Sequence, residues 1–106
     1  FNADFSLLSA FTAEQVNVVP LLVENLTIEL DAEGLWAAVQ GEIVNPGETA
    51  VLPAVIASAY QGDLPAGIRK LEFTEDLQTG ARISFSVEVY STGLRIEQVD
   101  VLAEGR

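Results

Sequence analysis

Polar and apolar side chains alternate along residues 82 to 90, Arg-Ile-Ser-Phe-Ser-Val-Glu-Val-Tyr. A period of two residues is typical of a strand that presents one face to a core and the other to solvent. The stretch therefore predicts a half-buried strand. Its inward side chains are expected to be Ile83, Phe85, Val87 and Val89.

The same period is seen at residues 24 to 30, and turn-forming residues follow at 31 to 34. This order predicts a hairpin into a second strand at 35 to 44, in which Gly41 marks a bulge or a close approach of two backbones. The side chains expected in the core from these two strands are Leu26, Ile28, Leu30, Leu35, Ala37, Val39 and Ile43.

Three later stretches predict further strands. Residues 51 to 60 are apolar on both faces, and Pro53 with the flanking glycines and prolines favours a central strand over a helix. Residues 68 to 73 and 94 to 102 are expected to be strands, the last with a bulge near Gln98.

Short strands at intervals of ~8 to 12 residues, without convincing helices, are typical of a sandwich. The predicted fold is therefore all-β, an antiparallel immunoglobulin-like β-sandwich of about seven strands. We place the sandwich at residues 24–106 and an N-terminal extension at residues 1–23.

The extension carries Phe5, Leu7 and Phe11 at the spacing of one strand face. However, Leu7 and Leu8 also lie at helical spacings from Phe11, and residues 12 to 15 resemble a capping box. Burying three such side chains contributes about 5 to 9 kcal/mol, whereas ordering seven backbone residues costs about 7 to 14 kcal/mol. The segment therefore needs main-chain hydrogen bonds, either its own as a helix or those of a sheet edge. At a neighbour's sheet edge, Phe5, Leu7 and Phe11 would be the assembly side chains.

Charge excludes several partners. The chain of 106 residues has 16 Asp and Glu against 5 Lys and Arg, a net charge of −11. Such an acidic surface repels nucleic acids and anionic lipids, and no apolar run is long enough for a transmembrane segment. Because 49% of the residues are hydrophobic, we expect a partner, most simply another copy in a homo-oligomer or polymer, to cover part of the surface.

The residue types also exclude most catalytic chemistry. The chain has no histidine and no cysteine, which removes the usual catalytic triads, cysteine nucleophiles and imidazole or thiolate zinc sites. The glycine-rich stretches lack the Gly-Lys-Ser/Thr ending of a phosphate-binding loop. We therefore predict a non-enzymatic protein.

Acidic side chains are the remaining metal ligands. Glu72, Glu75 and Asp76 lie near a predicted turn and could bind calcium through their oxygens. A solvated acidic turn is the alternative interpretation, and no other cofactor is indicated.

Three residues suggest surface recognition. Trp36 should point away from the Val39 and Ile43 side, so it could bind sugar or protein or close one margin of the core, and Tyr60 is a second ligand-binding candidate. Asn25 begins the triplet Asn-Leu-Thr, a glycosylation candidate. The chain contains no methionine, so we expect that an export signal has been removed and that the protein is extracellular or on the cell surface.

Residues 41 to 85 resemble the FxLYD family of immunoglobulin-like domains. The similarity rests on Gly41-Glu42-Ile43-Val44-Asn45-Pro46-Gly47, on Val55-Ile56-Ala57-Ser58-Ala59-Tyr60, and on Leu77-Gln78-Thr79-Gly80 before Ile83-Ser84-Phe85. Tyr60 is kept, whereas Ala57, Ala59, Gln61 and Thr79 replace the family's Phe, Leu, Asp and Pro. The resemblance implies an extracytoplasmic prokaryotic domain of envelope or surface proteins without catalytic residues.

Two functions follow as expectations. In the first, the chain is an exported structural subunit that self-assembles into a surface filament or envelope assembly by donating its N-terminal strand to a neighbour. In the second, the extension pairs within its own domain, and the chain is a monomeric binding or spacer module for a carbohydrate, calcium or protein ligand.

Overall fold

A computed structural model of the chain describes residues 19–106. It confirms the predicted class, an all-β antiparallel sandwich of seven strands. No helix capable of crossing a membrane occurs among these residues. The strands are β1 (Val19–Pro20), β2 (Leu22–Leu30), β3 (Trp36–Val44), β4 (Pro53–Gln61), β5 (Leu64–Glu72), β6 (Arg82–Tyr90) and β7 (Gln98–Gly105).

The strands form one four-stranded sheet of order β1-β7-β4-β5 and one three-stranded sheet of order β2-β3-β6. Every pairing is antiparallel. The chain crosses from the first sheet to the second at Leu21, which is buried and whose N–H donates to the Ala103 carbonyl at 3.1 Å.

The core lies between the sheets and follows the predicted alternation. Phe85, Val87 and Val89 of β6 are buried, as are Ala37, Val39 and Ile43 of β3. Strand β4 is central in its sheet, between β7 and β5, as its two apolar faces predict. Its inward Ala57 and Ala59 are small and fully buried, which leaves room for larger side chains from the facing sheet.

Asn45, directly after β3, is the buried polar residue of this core. Its Nδ2 donates to the carbonyls of Thr49 at 2.8 Å and Leu77 at 2.9 Å, and its Oδ1 accepts from Gly47 N–H at 2.9 Å. These bonds tie the end of β3 to two loops that precede β4 and β6.

One lateral margin of the sandwich, between β5 and β6, is closed at the end near Ala66 and Gly67. A register shift in the β4–β5 pairing falls next to Ala66, and the Ala66 carbonyl accepts the Thr92 N–H at 2.9 Å. At Gly67 a Cβ would lie 2.6 Å from the Tyr90 carbonyl oxygen. The absence of a side chain at Gly67 therefore allows the two sheets to meet along this margin.

The sandwich begins earlier than predicted. Val19 and Pro20 pair with Gly105 and Glu104, and Leu21 lies in the core, so residues 19–23 belong to the sandwich rather than to the extension. A strand of two residues has no visible period, which is why the sequence pattern placed the boundary at residue 24.

The core prediction for β2 was wrong in part. Ile28 and Leu30 do share the inner face, since they pair with Val39 and Ala37, but they remain 36% and 42% exposed. The reason is that β2 is an edge strand. Leu26, in a bulge, is 43% exposed, and Leu35 is 57% exposed because it belongs to the turn before β3.

Two strand bounds also differ from the pattern. The last strand starts at Gln98 rather than at residue 94, at the point where the inward phase changes. Strand β5 starts at Leu64 rather than at residue 68, so Pro65 and Gly67 lie within it. A proline is tolerated there because β5 is an edge strand.

Replacing Asn45 tests the importance of the buried amide. We expect Asn45→Ala to lower the free energy of unfolding by roughly 2 to 4 kcal/mol, because buried carbonyl and N–H groups lose their partners. The measurement is urea-induced unfolding, with exposed Gln78→Ala in the neighbouring turn as the matched control. Equal stability of the two variants would contradict this account of the core.

Candidate functional site

The second lateral margin, between β2 and β7, is not closed by the part of the chain that the structure describes. We call the strip formed by Ile28 and Leu30 of β2 with Val99 and Val101 of β7 the open margin. The valines pair with inward Ala59 and Ala57, so both pairs of side chains belong to the inner faces of their sheets. Strands β2 and β7 lie against each other across the two sheets.

One main-chain hydrogen bond lies at each of the two ends of the open margin. At one end, Leu21 N–H donates to the Ala103 carbonyl at 3.1 Å, where the chain crosses between the sheets. At the other, Ile96 N–H donates to the Gly34 carbonyl at 2.9 Å and holds the β2–β3 turn against the segment before β7. The margin is therefore a bounded slot rather than a frayed edge.

Strand β7 presents main-chain groups to this slot. Because Ala103 directs its carbonyl away from β4, antiparallel geometry directs the N–H and C=O groups of Val101 and Val99 to the same side. Strand β1 covers only Gly105 and Glu104 on that side. From Gln98 to Leu102, β7 has no partner strand there among residues 19–106.

Strand β2 presents a shorter free edge. The Asp31 N–H donates to the Trp36 carbonyl of β3 at 3.0 Å. Because every second residue of an antiparallel strand directs its main-chain groups to the same side, the groups of Leu30 and Ile28 point away from β3. A bulge interrupts the strand between Glu24 and Thr27, and Asn25 within it has a positive φ of 54°. The bulge twists the edge and ends regular pairing.

A polar cluster on the outer face of the three-stranded sheet holds the bulge. Asn25 Nδ2 donates to Glu42 Oε1 at 2.6 Å, and Arg82 Nη1 lies 2.7 Å from Glu42 and 3.2 Å from Glu24. The hydrogen bond from Asn25, with a further contribution from Arg82, lowers the pKa of Glu42. The hydrogen bond to Glu42 raises the pKa of Arg82.

The two aromatic candidates lie on opposite outer faces. Trp36 pairs with Tyr90 on the outer face of the three-stranded sheet, away from Val39, as predicted. Tyr60 lies on the outer face of the four-stranded sheet, in register with Gln98. The structure therefore does not bring Trp36 and Tyr60 into one site.

Tyr90 is a recognition candidate that the sequence analysis missed. It lies with Tyr60, Pro65 and Ile68 around a depression of about 440 Å³ beside the closed margin. Its hydroxyl donates to the Glu88 carboxylate, and this bond raises the pKa of Tyr90. The sequence pattern could have identified it, because Tyr90 occupies one of the outward-facing positions of residues 82 to 90, where a large aromatic side chain has to be exposed.

The acidic candidates do not form a calcium site in this geometry. Glu72 lies 3.4 Å from Lys70 and 3.1 Å from Arg106, while Glu75 and Asp76 are exposed in the following turn. No group of three or more acidic side chains within residues 19–106 is arranged to hold a metal ion. Calcium binding stays a prediction without support from these contacts.

The remaining candidates are Asn25 and the three assembly residues. Asn25 is exposed, with its amide hydrogen-bonded to Glu42, and its glycosylation stays a prediction. Phe5, Leu7 and Phe11 lie outside the described residues. The open margin is thus the feature that sequence reasoning did not find, because the pattern placed Ile28 and Leu30 in a covered core.

Comparison with known proteins does not assign a family. No family model matches the sequence, and no curated protein shows significant similarity to it. The resemblance to FxLYD domains therefore stays a prediction.

The polar cluster predicts a pH dependence of stability. Because folding lowers the pKa of Glu42, this carboxylate stabilises the fold above its unfolded pKa, and the contribution is lost as the pH falls through the folded pKa. We expect the midpoint of thermal unfolding to fall less between about pH 6 and about pH 3 in Glu42→Gln than in the unmodified chain. Exposed Glu29→Gln is the matched control on the neighbouring strand, and an identical pH profile for all three proteins would refute the role of the cluster.

Proposed function

We propose that this protein is an exported, non-enzymatic structural subunit that self-assembles into a surface filament or envelope assembly. Each subunit would donate its N-terminal strand to a neighbour. The single observation that carries the proposal is the open margin, where apolar side chains of β2 and unpaired main-chain groups of β7 lie side by side.

Edge strands are a liability that soluble proteins usually manage. Charged side chains, prolines, bulges or covering loops block an exposed edge from pairing with another chain. Strand β5 carries Pro65 and a bulge, and β2 carries the bulge at Asn25. From Gln98 to Leu102, β7 has no proline, no bulge and no covering strand among the described residues, and Asp100 is its one charged side chain. An edge of this kind supports a role in strand addition.

The composition supports a structural role over catalysis. With no histidine or cysteine in the sequence, a catalytic site would need serine, lysine, tyrosine or carboxylate groups at short range. Lys70, the only lysine, is exposed and lies 3.4 Å from Glu72. Export to the cell surface is proposed from the resemblance to FxLYD domains alone.

A second candidate function is a monomeric extracytoplasmic binding or spacer module. The observation that favours it is the depression between Tyr60 and Tyr90, where the apolar side chain of Ile68 is 70% exposed. Aromatic side chains beside hydroxyl groups suit a carbohydrate or a protein ligand. In this function, the open margin would be covered within one chain.

Removing the extension separates the two functions. We expect the full chain to form oligomers or filaments, seen by light scattering after size-exclusion chromatography and by negative-stain microscopy. A chain lacking residues 1–15 is expected to remain a folded monomer, because its margin has no donor.

Point variants refine this test. Phe5→Ser with Leu7→Ser and Phe11→Ser should abolish assembly in the full-length chain, while the out-of-phase control Asn2→Ala with Ser6→Ala should retain it. Monomers of equal stability in every case would refute the structural proposal and favour the binding module. Unfolding of a monomeric truncated chain would place the extension in its own core.

A further inference from the structure

Two free edges border the open margin, and they are not equivalent. Regular pairing along the outer side of β2 is confined to residues 27–30, because the bulge at Asn25 and Leu26 disrupts the strand before that point. A strand added to β2 would therefore find few regularly spaced main-chain partners.

Strand β7 is regular along the whole margin. Its pairing with β4 runs without a register shift from Gln98 to Gly105. The position beside β7 already accepts an antiparallel strand, since Val19 pairs with Gly105 and Leu21 N–H bonds to Ala103. A strand added over residues 98–102 would continue the line of β1 along the same edge.

The side chains around this position are complementary to an alternating apolar strand. The inward neighbours on β7 would be Val99 and Val101, which pack on the core only in part. Inward side chains of the added strand would also cover Ile28 and Leu30 of the facing sheet, which are 36% and 42% exposed. Large apolar residues at every second position are what such a slot requires.

Residues 5–11 of this chain have that pattern except at Ser9. Phe5, Leu7 and Phe11 have the spacing of one strand face, with Ser9 on the same face between Leu7 and Phe11. The segment is also nearly neutral: Asp4 is the only ionisable side chain among residues 1–13, although the chain as a whole has a net charge of −11. It can therefore approach Glu97, which directly precedes β7, and Asp100 and Glu104 of β7 with little charge repulsion.

The direction of the chain at Val19 favours a neighbouring copy as the donor. Strand β1 runs antiparallel to β7, with Val19 opposite Gly105 and Pro20 opposite Glu104. Val19, the first residue of β1, therefore lies at the end of β7 that is away from residues 98–102. The chain's own segment would have to reverse and pass around β1 to reach that edge.

We propose that the strand-accepting site is the free edge of β7 over residues 98–102, and that its occupant is the segment 5–11 of a second copy of this chain. This inference rests on the proposed self-assembly and names its acceptor. The inserted strand lies antiparallel to β7, with Phe5, Leu7 and Phe11 against Val99, Val101 and the apolar side of β2.

Cross-linking between engineered cysteines tests the site, since the chain has no cysteine of its own. Ser6, out of phase with the apolar residues, and exposed Asp100 of β7 would share the outer face of the extended four-stranded sheet. A tagged full-length Ser6→Cys chain is mixed with an untagged Asp100→Cys chain and treated with a short bismaleimide. We expect a cross-linked dimer of one tagged and one untagged chain.

Two control variants locate the acceptor. Glu29→Cys, exposed on β2, and Ser84→Cys, exposed on β6, lie on the outer face of the other sheet and should not cross-link to Ser6→Cys. A dimer with Glu29→Cys instead of Asp100→Cys would make β2 the acceptor and overturn the inference while self-assembly stands. A cross-link within a single chain that carries both Ser6→Cys and Asp100→Cys would show that the segment reaches the β7 edge of its own chain. That result would contradict a neighbouring copy as the donor.

A blocking variant tests the edge without a cross-linker. Val101 directs its N–H away from β4, so Val101→Pro removes a donor from the free edge and none from the β4–β7 pairing. We expect Val101→Pro to lose assembly while it keeps a cooperative unfolding transition.

The site would be contradicted if folded Val101→Pro still assembled and if Asp100→Cys formed no cross-linked dimer with Ser6→Cys. Assembly would then use another surface. A full chain that stays monomeric at every concentration would instead refute the proposed function itself.

Discussion

The main-chain groups at the lateral edges of the two sheets need hydrogen-bond partners, and this requirement shapes the whole molecule. Near Ala66, between β5 and β6, the sandwich supplies such a partner itself, since Ala66 accepts the Thr92 N–H and Gly67 allows the Tyr90 backbone to approach closely. Between β2 and β7 the described residues leave the requirement unmet over residues 98–102. An otherwise well-packed domain therefore offers one specific place where a further strand would be stabilised.

Small residues make this asymmetry possible. Inward Ala57 and Ala59 on β4 are fully buried and let larger side chains from β3 and β6 fill the space between the sheets. The buried amide of Asn45 then holds the loops at one end of the sandwich through three hydrogen bonds. With the interior and that end fixed, the chain can leave the β2–β7 margin unfilled without losing its core, which suits a subunit that completes itself by association.

Alternation was sufficient to predict the all-β class, the inner faces of β3 and β6, and the central position of β4. It could not predict which strands lie at sheet edges, because a period of two shows which face is apolar but not whether a neighbour covers it. Ile28 and Leu30 illustrate this limit. They lie on the predicted inner face of β2, but they are partly exposed rather than buried. Tyr90 was missed for a related reason, since its pairing with Trp36 and its proximity to Tyr60 depend on strand order.

Amide hydrogen exchange of Val101 in the full-length chain, followed over a range of protein concentrations, tests the central claim most directly. The neighbouring Leu102 pairs with Ile56 of β4 within its own domain, so its amide provides the internal reference. We predict that Val101 exchanges much faster than Leu102 in dilute solution and approaches the protection of Leu102 as the concentration rises and a neighbour's strand covers the edge. Protection of Val101 that is already high in dilute solution and independent of concentration would show that the chain closes its own margin, and would contradict the account.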